Sequence, residues 1–143
     1  MTMKLSTTLI HLSNVSNPIN ASLINEFYQY LIEIGTSVKY QNQNLKQIIK
    51  LARYLGTEKT FYDVRAKDEI ISFLNTKIKD INQDPDKKWR TTWNDYLRRI
   101  KCFFRWFYNY KLVKEKEKPR IVARGRLTEF KFSLAIRTYL TYP

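Results

Sequence analysis

Apolar side chains recur at helical intervals through most of the chain. Ile24, Phe27, Leu31 and Ile34 step by three and four, a spacing that puts them on one face of an α-helix. They predict a first helix over about residues 22–34, with Asn20 or Ser22 as its cap and Gly35 as its stop. Ser37 opens a second, about 37–55, ended by Gly56, with Leu45, Ile48, Ala52 and Leu55 inward and Ile49 widening the stripe. The connector Thr60-Phe61-Tyr62-Asp63-Val64 can plug the core with its aromatic rings. Ile70, Ile71, Leu74 and Ile78 predict a third helix, about 66–80, before the polar loop 82–86 and its proline. The fourth, about 87–110, carries Trp93, Leu97, Ile100, Phe104 and Phe107 at steps of four, three, four and three, broadened by Tyr96 and Phe103.

Three glycines and four prolines in 143 residues suit long helices and argue against an all-β fold. The expected fold class is all-α, a compact bundle of four main helices. Residues 1–19, rich in Ser, Thr and Asn, read as an N-terminal arm, and 20–110 as the helical domain. Residues 111–126 are charged and hold Pro119 and Gly125, which marks a basic linker. The tail 127–143 can form a short fifth helix from Leu127, Phe130, Leu134 and Ile136. No stretch reaches the ~18 apolar residues of a membrane span. The start MTMKLSTTLIHL lacks the apolar core of a signal peptide. Cys102, the lone cysteine, excludes an internal disulfide. A cytoplasmic protein, on the nucleoid when bound to DNA, is the expectation.

Charge sharpens the picture. Lys and Arg number 26 against 13 acids, a net charge of +13. Residues 1–86 carry only +1, residues 87–126 carry +11 and residues 127–143 carry +1. A charge run is most often a solvated face of mixed sign, but this one has almost one sign, and a polyanion is the implied partner. The second helix sets Lys39, Gln43, Lys46, Lys50 and Arg53 opposite its apolar stripe, and it also offers Asn42. The fourth offers Arg90, Thr91, Thr92, Asn94, Arg98, Arg99, Lys101 and Arg105. Cations neutralise phosphates, while Arg reads guanine and Asn or Gln reads adenine in the major groove. These residues, apart from Arg53, are the candidate DNA contacts, and double-stranded DNA is the expected partner.

Catalytic chemistry is missing. His11 is the sole imidazole, no acids are paired, Glu58, Asp84 and Asp86 fit no metal loop, and no Gly-rich phosphate loop occurs. No catalytic residue, metal, cofactor or small-molecule ligand is therefore expected. Two other readings compete. A basic helix backed by Trp and Phe also describes an interfacial helix that docks on a protein or an acidic membrane. Unpaired bases can also stack on aromatic rings; rings at helical spacing are more often core, which is the favoured reading here, and Trp89, Trp106 and Tyr108 are the ones most free to face outward. A small helix-turn-helix regulator ranks third, since no three- or four-residue turn between two short helices stands out.

The run LINEFYQYLIEIGTSVKYQNQNLKQIIKLARYLG resembles the opening of the core-binding domain of tyrosine recombinases, the phage-integrase family. FYDVRAKDEIISFLNTKI is similar to that family's connector and third helix, and WRTTWNDYLRRIKCFFRWFYN to its last long helix with a terminal aromatic cluster. The likeness spans roughly residues 20–110 and is strongest at Phe103-Phe104-Arg105-Trp106-Phe107. It implies a helical half-clamp on a recombination site, with contacts at Lys39, Gln43, Lys46, Lys50, Thr91, Thr92, Asn94, Arg98 and Lys101. Further integrase protomers on the same DNA are implied partners. The family's catalytic set of arginines, lysine, histidine and tyrosine sits in a second domain, and no histidine follows His11 here. The resemblance therefore implies a DNA-gripping part without the cutting part.

Overall fold

The computed structural model describes residues 4–64 and 67–115. The fold is all-α, with no strand among the described residues. The chain divides at Val64 into two compact units.

The first unit holds α1 (Leu5–Ser13), α2 (Pro18–Glu33), α3 (Val38–Leu55) and a 3₁₀ turn (Phe61–Asp63). The three helices pack on one another. The arm expected over residues 1–19 is thus largely helix: α1 lies against α3 and α2. Its apolar signal is thin because only Thr8 and Leu12 are buried within it. The second helix in the chain also starts earlier than expected. Asn17, not Asn20 or Ser22, caps α2, accepting from the Ile19 and Asn20 amides at 2.9 and 3.2 Å. Pro18 takes the first helical position, where its missing N–H leaves no lost bond.

Asn20 instead works inside. Its Nδ2 donates to the Lys59 carbonyl at 3.0 Å and its Oδ1 accepts from the Phe61 amide at 2.9 Å. This clamp holds the 3₁₀ turn so that Phe61 plugs the core, as the connector predicts, with Val64 buried beside it in sequence. Ser37 caps α3 by accepting from the Tyr40 amide at 3.1 Å, and Gly35 and Gly56 adopt φ of +78°, a region that costs an L side chain strain. Ile34, expected inside, is exposed at the end of α2.

The second unit holds α4 (Lys67–Asn75), α5 (Trp89–Trp106), a π turn (Phe107–Lys111) and a last α6 (Leu112–Glu115). α4 stops before the expected residue 80. The Thr76 hydroxyl donates to the Phe73 carbonyl at 2.6 Å and the backbone contracts to three-residue bonds, so Ile78 is left exposed. The Trp93 indole N–H donates to Asn75 Oδ1 at 3.3 Å and ties α5 to the end of α4. Asp84 closes the start of α5 by accepting from the Trp89 amide at 2.9 Å, a favourable place for a carboxylate against the helix dipole.

Trp93, Leu97, Ile100, Phe104 and Phe107 are all buried, as their spacing requires. The helical segment continues through Glu115 and buries Leu112, so the stretch expected as linker begins helical. The remainder of that linker and the fifth helix expected within 127–143 lie outside the described residues.

Candidate nucleic-acid interface

On α3, Lys39, Gln43, Lys46, Lys50 and Arg53 recur at steps of four and three, so they share one face. Lys39, Lys50 and Arg53 are exposed, and Gln43 and Lys46 half-buried. The opposite stripe of Leu45, Ile48 and Ala52 is buried. No acid occurs within Val38–Leu55. Arg53 Nη2 lies 3.0 Å from His11 Nδ1. A guanidinium can only donate, so the imidazole Nδ1 is the acceptor of that contact.

Asn42 departs from its expected role. It is buried, and the Thr8 hydroxyl donates to its Oδ1. Its place on the helix, one position round from the cationic stripe, faces α1 rather than solvent. A carboxamide used in this seam cannot read a base edge. The neighbouring amides are also structural. Gln41 Nε2 donates to the Thr36 carbonyl and Asn44 Nδ2 to the Tyr40 carbonyl, both at 2.9 Å.

On α5 a second stripe runs through Thr91, Asn94, Arg98, Lys101 and Arg105, at steps of three and four. Thr91, Arg98 and Arg105 are exposed, and Asn94 and Lys101 half-buried. Along it lies a shallow, open depression of about 470 Å³, lined by Thr91, Asn94, Asp95, Leu97, Arg98 and Lys101. Partial burial, and secondarily the Arg105 guanidinium, hold the Lys101 ammonium below its usual pKa. Arg90 is exposed at the start of the helix, its guanidinium 5.8 Å from the Trp89 ring centroid.

Two other candidates on this helix sit off the stripe. Arg99 keeps only 12% of its side chain exposed, with its Nε 3.7 Å from Asp95 Oδ1. Thr92 is exposed but lines a different depression, of about 540 Å³, with Trp89 and Tyr96. Asp95 is the residue that sequence reasoning missed. It pairs with Arg98 and Arg99, and three- and four-residue spacing was the signal for both contacts.

The aromatic residues most free to face outward are buried, as the favoured core reading of these rings has it. Trp89, Trp106 and Tyr108 are 8%, 5% and 8% exposed. The π turn is wider than an α turn and sets Tyr108 over Phe104, with ring centroids 5.5 Å apart and stacked. Phe103 stacks likewise on Phe107 at 6.0 Å. These rings are core, not a platform for bases. The two cationic faces belong to separate units, and part of the strongly basic stretch, 116–126, lies outside the described residues.

No family model matches the chain, and no curated protein or solved structure is found to be similar to it.

Proposed function

We propose that the chain binds double-stranded DNA and is the gripping, non-catalytic part of a tyrosine-type site-specific recombinase. One observation carries the DNA reading: both long basic helices, α3 and α5, set their cations in a stripe on the face they leave accessible, while their apolar sides are buried. Such stripes suit a polyanion, because each neutralised phosphate releases condensed counterions. The recombinase reading adds the resemblance of residues 20–110, with further protomers on the same DNA.

The test is the salt dependence of duplex binding by fluorescence anisotropy. With about six phosphate contacts, log K should fall against log salt with a slope near −5. A slope shallower than about −2 overturns the proposal. Substituting Arg98 and Lys101 together should weaken binding strongly. If substitution of Lys77 and Lys79 hurts as much, the assigned face is wrong.

Burial of Trp93, Phe104 and Phe107 to 1% exposure or less speaks against the interfacial-helix reading, which needs those rings for insertion. Anionic vesicles should leave the tryptophan emission unchanged. A helix-turn-helix mode gains one observation: residues 34–37, including Gly35, make a short link between α2 and the basic α3. It predicts a dimer on symmetric half-sites, whereas the recombinase reading predicts a single asymmetric footprint per protomer. Methylation interference at guanine N7 separates the two.

A further inference from the structure

Asp95 is the only acid in α5, and it sits at the edge of the cationic stripe. An acid there repels phosphate and weakens a surface built only for a polyanion. Its geometry suggests another use. Asp95 Oδ1 takes a hydrogen bond from Arg98 Nη2 and lies 3.7 Å from Arg99 Nε. Arg98 keeps 70% of its side chain exposed, while Asp95 keeps 34% and Arg99 12%. The carboxylate thus lies between a largely buried arginine and one that projects outward, and it is the outward one that it hydrogen-bonds.

We propose that Asp95 is a specificity residue, which aims Arg98 at the major-groove edge of a guanine and keeps backbone phosphate away from that spot. The inference rests on the DNA-binding reading above and names the class of target: a duplex site with a G·C pair under the middle of α5. Arginine has five donors in a rigid fork, and Asp95 engages one end of it. The donors left over can meet guanine O6 and N7 together. A side chain already held in place loses less rotamer freedom on binding. The depression along Thr91, Asn94, Asp95 and Arg98 gives a base-pair edge room to approach. Lys101 and Arg105, one and two turns on, meet the flanking phosphates.

The experiment selects binding sites for the full chain from a randomised duplex library, then measures anisotropy on the selected duplex and on one with the G·C pair inverted. The parent protein should discriminate against the inverted pair by about tenfold or more, the worth of a bidentate contact. Asp95→Ala and Asp95→Asn should bind both duplexes more tightly and lose most of that discrimination. Arg98→Lys should lose the discrimination while keeping most of the salt slope. Circular dichroism and thermal melts check that each variant folds like the parent. If the parent binds duplex with no base preference, or the Asp95 variants gain affinity with discrimination intact, the inference fails and the DNA-binding reading stands. If the parent binds no duplex at all, both fail.

Discussion

The two units present similar outer faces on different interiors. α3 buries Gln41, Asn42, Asn44 and Gln47 among Leu45, Ile48 and Leu51. The buried residues of α5 are all apolar or aromatic, from Trp89 to Trp106, with Arg99 largely covered beside them. Outside, α3 carries mostly lysine and no acid, whereas α5 carries mostly arginine with Asp95 at the edge. Lysine is a mobile point charge, and arginine is a flat fork that fixes orientation. On the DNA-binding reading, α3 supplies affinity that ignores sequence, and α5 supplies direction. The interiors agree with that division. A tightly packed aromatic core fixes where a reading helix stands, and a lysine face needs no such precision.

The largest effects test the interiors. Phe104→Ala removes a ring that is 1% exposed and stacked by Tyr108. It should destabilise by about 3–5 kcal/mol in urea denaturation, through lost transfer energy and a cavity. Asn42→Ala deletes no large volume but takes away the nearer of two acceptors of the buried Thr8 hydroxyl, leaving the Lys4 carbonyl at 3.2 Å. With that second acceptor in reach, the loss should be about 0.5–1.5 kcal/mol, the net worth of one hydrogen bond. Equal costs would mean that the polar seam of the first unit is as structurally binding as the aromatic core of the second. Thr8→Val with Asn42→Leu, which replaces both partners by apolar groups, should recover part of the loss, since neither polar half of the pair then stays buried.

Those two sites also show what the sequence could reveal. The bounds of α3 follow from Ser37, Gly56 and a clean apolar period, all visible in the chain. The α5 core stripe was equally plain, because large rings at helical steps have few other uses. α1 was hidden because it buries one apolar side chain, Leu12, beside a hydroxyl set on an amide, and apolar periodicity does not register that pairing. Asn42 was misplaced for the same reason: beside lysines, an amide looks like a reader until a helix is known to cover it. Thr92 and Arg99 are polar residues near the stripe whose angle round the helix puts them on its flanks. The all-α class was legible in full; which polar residues turn inward was not, because hydrogen bonds between units of sequence thirty or more residues apart leave no local period.

The outer faces differ in a way that salt titration can sharpen. Replacing Lys39, Lys46 and Lys50 together by Ala should lower the salt slope by roughly 0.9 for each phosphate that is no longer neutralised, and weaken every duplex about equally. Arg98→Ala should weaken the selected duplex more than a random one, with a smaller change in slope. If both variants lose affinity uniformly across sequences, α3 and α5 do the same work and the contrast between them disappears.

The smallest effect lies in the crowding of cations on α5. Burial and Arg105 hold the Lys101 ammonium below its usual range, so its folded pKa lies under the unfolded value of 10.5. Between those two values the unfolded chain binds more protons than the folded one, and stability rises with pH across that alkaline window. Below the window both states are charged and Lys101 adds no slope. Lys101→Met should therefore match or slightly exceed the parent's stability at neutral pH and show a shallower rise in the alkaline window, read by urea midpoints in a pH series. Arg105→Ala removes only the second cause and should reduce the rise without abolishing it. A bound phosphate beside Lys101 reverses the bias, because an anion favours the ammonium. Duplex binding should then take up protons across the same window and weaken as pH increases through it, and Lys101→Met should reduce that dependence. An unchanged alkaline slope of affinity in Lys101→Met would remove Lys101 from the contact surface while leaving Arg98 and Arg105 in place on theirs.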